Sequence, residues 1–187
     1  MILYCGTSNR GKLREFQLAA GPGFDIRSIA APAPEEHGVT FEETAREKAL
    51  YYGARQDGLV FADDSGLEVD ALGGAPGVLS ARFAGPSATD AENNALLLEK
   101  LRGVGNRSAR FVCVIALVRD GAFVKLFRGV VEGRIIDAAR GAHGFGYDPL
   151  FYHEAFGCTF GEATDEQKMS VSHRGQALGA MFAFLRL

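Results

Sequence analysis

The stretch Leu59-Val60-Phe61-Ala62-Asp63-Asp64-Ser65-Gly66 decides how this chain folds and where its chemistry lies. Four apolar residues in a row predict a buried strand, and Gly66 predicts the end of that strand. Two carboxylates and a hydroxyl at a strand end are well placed to hold a hard cation and to orient a water molecule. The alternative is a polar turn closed by an aspartate side chain, which is the commoner structure for such a tetrapeptide on its own.

Composition limits the classes of protein to which the chain can belong. Its 187 residues suit a single domain, 1–187, folded as two lobes at most. A net charge of −3 without a basic tail argues against broad binding to nucleic acid. No apolar stretch approaches the roughly 20 residues of a membrane helix, and no signal peptide is evident. We therefore expect a cytoplasmic protein without nucleic-acid or membrane partners.

Strands and helices alternate in the first part of the chain, and a hairpin dominates its middle. The predicted strands are residues 1–5, 24–29, 59–62, 109–119, 122–131 and 150–152. The predicted helices are residues 10–20, 40–56, a segment opening at Thr89, and 172–187. The pattern predicts an α/β fold with a mixed, partly antiparallel central sheet flanked by helices.

The turn Thr7-Ser8-Asn9-Arg10-Gly11-Lys12 lies between the first strand and the first helix. Backbone amides and the positive end of the helix dipole make such a turn a site for anions, and Lys12 adds a mobile positive charge. The spacing is not that of a Walker A loop, because Leu13 follows the lysine. A plain polar cap with a surface lysine is an equal alternative.

Acidic and basic side chains also surround the second helix. Glu35 and Glu36 lie in a Pro-rich loop before it, and a metal-binding role for either requires the fold to bring it near Asp64. Lys48, on the helix itself, is either a solvated lysine or a contact for phosphate. Spacing alone does not decide between these alternatives.

Two segments near the C-terminus carry groups suited to a flat, polar ligand. Residues 141–149 are rich in glycine, so the backbone can approach a ligand on which Phe145 or Tyr147 stacks, while Asp148 accepts from ring N–H groups. The second segment is a cationic cluster that precedes and opens the last helix. Its members are Lys168, Ser170, Ser172, His173 and Arg174. A tight structural turn and a structural histidine are the alternatives.

Five segments together resemble the inosine triphosphate pyrophosphatase family, whose members hydrolyse non-canonical purine nucleoside triphosphates. The segments are TSNRGK (7–12), EEHGVTFEETAREKA (35–49), ADDSGLEVDALGGAPGVLSARFAG (62–85), GFGYDP (144–149) and SHRGQAL (172–178). The resemblance implies two lobes with an active-site cleft between them, Mg²⁺ as cofactor, and a homodimer. It implies that ITP, dITP, XTP or dXTP reacts with water to give the monophosphate and pyrophosphate.

The resemblance also implies roles for individual residues. Asp64 matches the proton acceptor and metal ligand, and one of Glu35 and Glu36, with Glu35 preferred, supplies a further Mg²⁺ ligand. Arg174 or His173 is expected to pair with the 6-oxo group of the base. The expected substrate contacts are Thr7, Ser8, Asn9, Arg10, Gly11, Lys12, Lys48, Ser65, Phe145, Gly146, Tyr147, Asp148, Lys168, His173 and Arg174. Ser8 and Thr44 depart from the glycine and asparagine usual in the family.

Overall fold

The computed structural model describes all residues from Met1 to Leu187. The strands are β1 Ile2–Cys5, β2 Asp25–Ser28, β3 Leu59–Val69, β4 Ser108–Arg119, β5 Ala122–Ile135, β6 Phe151–His153 and β7 Cys158–Thr159. The α-helices are α1 Arg10–Ala19, α2 Phe41–Gly53, α3 Asp90–Lys100, α4 Asp165–Val171 and α5 His173–Leu185. The seven strands form one sheet in the order β2-β1-β3-β4-β5-β6-β7, which confirms the predicted mixed α/β class.

The sheet is parallel on one side and antiparallel on the other. β1 pairs in parallel with β2 and β3, whereas β6 pairs antiparallel with β5 and β7. The predicted hairpin joins β4 to β5 through Asp120 and Gly121, with φ of 49° and 77°. Two consecutive left-handed residues match the right-handed twist of the flanking strands.

β3 is longer than the sequence predicts. We expected Gly66 to end the strand, but the strand continues to Val69, so Asp63 and Asp64 lie within it rather than at its end. Leu67 and Val69 are completely buried, and the Leu67 amide donates to Ser80 Oγ at 2.8 Å. Burial of apolar side chains beyond the glycine therefore outweighs the weak strand preference of Asp and Gly.

The closing helix predicted for residues 172–187 is confirmed as α5, His173–Leu185, and the short helix α4 that precedes it was not predicted. Ser172, with φ −65° and ψ 155°, is extended and separates α4 from α5. α4 begins at a capping box in which Thr164 Oγ1 accepts from the Gln167 amide and the Gln167 side chain accepts from the Thr164 amide. This Thr-x-x-Gln box is visible in the sequence and is the signal for the additional helix.

The chain divides into two compact units. The first comprises Met1–Asp64, Cys113–Gly129 and His173–Leu187, and the second comprises Ser65–Val112 and Val130–Ser172. The division agrees with the expected two lobes, while the cleft and the single domain stay predictions. No helix of the structure combines the length and the apolar composition that crossing a bilayer requires.

Candidate active site

The predicted anion-binding turn joins β1 to α1 as expected. Asn9 caps the ten-residue helix, because its Oδ1 accepts the Lys12 amide at 3.0 Å. Thr7 Oγ1 accepts the Asn9 amide at 3.2 Å. Ser8, Asn9 and Arg10 are exposed. The start of α1 is therefore a solvent-facing helix N-terminus, the arrangement that favours phosphate groups.

Asp63 is a buried anion held by cations of the first unit. Lys12 Nζ lies 3.1 Å from its Oδ1 and 3.0 Å from its Oδ2, and Arg174 Nη2 lies 3.6 Å from Oδ2. Burial acts to raise the pKa of Asp63, but Lys12, Arg174 and Lys48 outweigh it and lower the pKa to about 2. Asp63 therefore stays ionised at neutral pH and holds these side chains in place.

Arg174 is itself buried and paired on α1. Its Nη1 donates to the carboxylate of Glu15, and the two residues are only 2% and 7% exposed. Burial acts to lower the pKa of Arg174, but Glu15 and Asp63 raise it. The sequence patterns do not single out Glu15; its position three residues after Lys12 on α1 is the signal that could have done so. The expected contact of Arg174 with the base stays a prediction.

Asp64 has the opposite environment to Asp63. It is 6% exposed, and its buried Oδ2 has no hydrogen-bond partner. Burial raises the pKa of Asp64 to about 7, with Asp63 and Glu36 adding to the rise and Lys12 and Lys48 opposing it. A carboxylate that titrates near neutral pH can accept a proton from water and release it again.

Glu36, rather than Glu35, shares the ammonium group of Lys48 with Asp64. Lys48 Nζ lies 3.1 Å from Glu36 Oε1 and 3.8 Å from Asp64 Oδ1. The side chain of Glu35 is 92% exposed and lies 3.8 Å from His37. The two glutamates are adjacent, but only Glu36 has the positive charge of Lys48 to draw its carboxylate inward. Glu36 replaces Glu35 as our preferred metal ligand.

The donor set fits a hard divalent cation. No group of three or more His, Cys, Asp and Glu side chains is arranged around a common point. Mg²⁺ needs only one or two carboxylates, since water and substrate phosphates complete its octahedral shell. Glu36 Oε1 and Asp64 Oδ1 face the same ammonium group, and Asp64 Oδ2 is buried without a partner. Both carboxylates can therefore serve one cation.

A second cluster of predicted residues lies in the second unit. Lys168 Nζ lies 2.5 Å from Asp148 Oδ2 and 5.1 Å from the centre of the Phe145 ring. The Phe145 amide also donates to Asp148 Oδ2, at 2.9 Å. Gly144 has φ of 73°, and a Cβ there would lie 2.0 Å from the same oxygen. The glycine therefore permits the tight loop that brings Phe145, Asp148 and Lys168 together.

The glycine-rich loop is fixed to its own unit through neighbouring residues. Tyr147 is 4% exposed and donates its hydroxyl to Ser80 O at 2.8 Å. The Gly146 amide donates to Asp90 Oδ2 at 2.7 Å, and its carbonyl accepts from Asn94 Nδ2 at 3.0 Å. Asp90 and Asn94 were not predicted; their spacing of four on α3 is the available signal. Tyr147 packs in the core, and its expected substrate contact stays a prediction.

The remaining predicted residues lie at unit boundaries along the chain. Ser65 follows Asp64 in β3 and is half-buried, and His173 is the buried first residue of α5. A Cβ on Gly129 of β5 would lie 2.0 Å from the His173 carbonyl oxygen. The start of α5 therefore packs directly on the β5 backbone. Substrate contacts by Ser65 and His173 stay predictions.

An α/β fold with a phosphate-favouring helix start and two carboxylates able to share a cation, Asp64 buried and Glu36 half-buried, is typical of enzymes that hydrolyse phosphate esters or anhydrides. The chain belongs to the Ham1 family, whose model matches residues 3–184. It is 50% identical to the dITP/XTP pyrophosphatase of Exiguobacterium sp. over 183 residues, which cover 95% of this chain and 93% of the relative. The resemblance found in the sequence motifs is confirmed.

Solved structures show the same similarity. The Ham1 protein of Staphylococcus aureus has a TM-score of 0.88 and 39% identity, with 100% of this chain and 98% of that chain covered. A HAM1 protein from Coxiella burnetii has a TM-score of 0.88 and 40% identity at the same coverage. Identity at this level over almost all of both sequences shows a shared family as well as a shared fold.

Proposed function

We propose that this protein hydrolyses non-canonical purine nucleoside triphosphates, namely ITP, dITP, XTP and dXTP, to the monophosphate and pyrophosphate. Family membership and the relatives named dITP/XTP pyrophosphatase support the substrate class. The observation that carries the proposal is the position of Asp64, a buried carboxylate that shares the ammonium group of Lys48 with Glu36. Such hydrolysis removes these nucleotides before they enter DNA or RNA.

The reaction forms a bond between a water oxygen and the α-phosphorus. The bond from that phosphorus to the bridging oxygen breaks, and pyrophosphate leaves with the electron pair. Asp64 accepts a proton of the water, and we assign this step to Oδ2, the buried oxygen without a hydrogen-bond partner. A divalent cation held by Glu36 and Asp64, which we propose is Mg²⁺, would neutralise charge on the phosphates.

The start of α1 would receive the triphosphate. Its exposed turn presents the helix N-terminus, and Lys12 contributes a positive charge that Asp63 holds in position. Preorganised positive charge of this kind stabilises the extra negative charge that develops on the phosphates during cleavage. Thr7, Ser8, Asn9, Arg10 and Gly11 remain the proposed phosphate contacts.

The base would be recognised by residues carried over from the resemblance. Phe145 offers a ring for stacking, and Lys168, His173 and Arg174 offer donors for a 6-oxo group, whereas adenine presents an amino group there. Sites built on such polar pairing can discriminate by about 10⁴. The buried Glu15–Arg174 pair supports a rigid donor. Arg174→Ala should therefore reduce the preference for ITP over ATP, and an unchanged preference would remove Arg174 from this role.

One assay separates this function from two others. Purified protein is given dITP, XTP or dGTP with Mg²⁺, and pyrophosphate and orthophosphate are measured separately, with Asp64→Asn as the control. Pyrophosphate from dITP and XTP, lost in the variant, supports the proposal. Stepwise orthophosphate release would indicate a phosphatase, and binding without turnover would indicate a nucleotide-binding module.

The resemblance also supports a homodimer in the cytoplasm that acts on free nucleotides without nucleic-acid or membrane partners. Size-exclusion chromatography with light scattering would test the homodimer, because a mass of twice 20.0 kDa is expected. A monomeric mass across the micromolar range would contradict it. Fractionation of the native host would test the location.

A further inference from the structure

Lys48 occupies the space between the two carboxylates assigned to the cation. Its Nζ lies 3.1 Å from Glu36 Oε1 and 3.8 Å from Asp64 Oδ1. The lysine side chain is 15% exposed, and those of Glu36 and Asp64 are 25% and 9% exposed. The ammonium group is therefore largely withdrawn from solvent, and two carboxylates replace part of its hydration.

The same oxygens cannot serve the ammonium and a metal ion together in this arrangement. Mg²⁺ lies about 2.0–2.1 Å from its oxygen ligands, so an ion bound by Glu36 Oε1 and Asp64 Oδ1 would take the place of Nζ. Two positive charges at such close range repel strongly, the more so where water is largely excluded. Lys48 must either leave or prevent the ion from binding.

Other groups make departure of the lysine feasible. Asp63 does not need Lys48, because Lys12 and Arg174 already contact its carboxylate. Lys48 lies inside α2, whose start is fixed by the Thr40–Glu43 capping box, so the helix can keep its place while the flexible side chain moves. Exchange therefore needs a change of rotamer and no refolding of the helix.

We infer that Lys48 is a built-in counter-cation of the Glu36–Asp64 pair, and that a divalent cation binds there by exchange with its ammonium group. The lysine keeps the two carboxylates together and relieves their repulsion until the exchange takes place. The inference rests on the cation site of the proposed function, but it concerns binding and does not require turnover.

Chemical labelling of the wild-type protein tests the exchange directly. The metal-free protein is acetylated briefly with an N-hydroxysuccinimide ester, with and without Mg²⁺ and with no nucleotide, and each lysine is quantified by mass spectrometry. Exposed Lys125 of β5 is the internal reference. Release from the carboxylates should increase Lys48 acetylation at least threefold relative to Lys125. An unchanged or lower rate overturns the inference.

Variants at position 48 provide an independent test through Mn²⁺ binding, measured by the electron paramagnetic resonance of free Mn²⁺. Lys48→Met removes the competing charge and should bind Mn²⁺ at least tenfold more tightly than wild type. Lys48→Arg keeps the charge and should bind no more tightly than wild type, and Lys125→Met should match wild type. Equal affinity of Lys48→Met and wild type, including no binding by either, overturns the inference.

The two proposals fail in different ways. Exchange of Lys48 without pyrophosphate release from dITP would refute the proposed function and leave the exchange intact. Turnover of dITP without a change in Lys48 labelling would refute the exchange alone. The labelling uses the wild-type chain, so it does not depend on whether a variant folds.

Discussion

Asp63 and Asp64 are consecutive residues of β3, yet their surroundings drive their pKa values in opposite directions. Both are buried, but Lys12 and Arg174 contact Asp63 and bring its pKa to about 2. Lys12 and Lys48, the latter with its Nζ 3.8 Å from Asp64 Oδ1, also act on Asp64, but burial outweighs them and brings its pKa to about 7. One carboxylate is thus a permanent anion, and the other can exchange protons at neutral pH.

The raised pKa of Asp64 predicts a pH-dependent cost in stability. The folded protein keeps the proton up to pH of about 7, whereas the unfolded chain releases it near the ordinary value of 3.8. Asp64 therefore does not lower the free energy of unfolding below pH 3.8. Its destabilising effect grows as the pH rises and is complete above a pH of about 7. Without metal, the free energy of unfolding of Asp64→Asn should equal that of wild type near pH 4. At pH 8 it should be about 2–4 kcal/mol larger than that of wild type.

Urea denaturation in EDTA between pH 4 and pH 8 measures this difference. Asp57→Asn, at an exposed position of the same unit, should follow the wild-type curve throughout. A constant difference between Asp64→Asn and wild type across this range would contradict the raised pKa.

Asp63→Asn is expected to destabilise the fold strongly. The substitution leaves the charges of Lys12 and Arg174 in a buried site without their shared carboxylate, a change that costs about 3–5 kcal/mol. The matched control is Asp25→Asn, which breaks the exposed pair with Arg27 and should leave the free energy of unfolding nearly unchanged. Equal midpoints for the two variants in urea denaturation would refute the role assigned to Asp63.

Much of this arrangement follows from local sequence. The turn before α1, the capping boxes at Thr40 and Thr89, and the Asp120-Gly121 hairpin are each determined by a few adjacent residues. The predicted end of β3 was wrong because the true end depends on the burial of Leu67 and Val69. The residues that flank Gly66 in the sequence do not contain that information.

The candidate active site is harder to predict from the sequence than the fold. Motifs bring Asp64, Lys12 and Lys48 to attention, but Glu15 lies 159 positions from its partner Arg174, and only the folded chain joins them. The choice between Glu35 and Glu36 likewise depends on which carboxylate meets Lys48. Partners distant in sequence are fixed by packing, which local spacing does not encode.

Gly129→Ala should disturb the start of α5. The added methyl would lie 2.0 Å from His173 O and 2.8 Å from the Ala177 amide nitrogen, both backbone atoms, so α5 must shift and carry Arg174 with it. We expect a loss of about 1–3 kcal/mol and lower kcat with dITP. Gly179 lies on α5 with open space around it, so Gly179→Ala should instead increase the free energy of unfolding by up to about 1 kcal/mol. Thermal unfolding and initial rates measure both variants; similar behaviour would contradict the contact.

Thr44→Val should stabilise the protein. Thr44 Oγ1 is buried without a hydrogen-bond partner, and replacing such a hydroxyl by a methyl group of similar shape avoids a desolvation cost of about 1 kcal/mol. The neighbouring Thr40→Val removes the cap that accepts the Glu43 amide and should cost about 1 kcal/mol. Chemical denaturation compares the pair, and a destabilised Thr44→Val would reveal a partner for the hydroxyl.

The position of water attack tests the central claim most directly. Wild-type protein hydrolyses dITP with Mg²⁺ in water enriched in ¹⁸O, and mass spectrometry locates the label in the products under single-turnover conditions. Attack at the α-phosphorus predicts ¹⁸O in dIMP, unlabelled pyrophosphate, and loss of both products in Asp64→Asn. Label in pyrophosphate, or full activity in Asp64→Asn, would contradict the account.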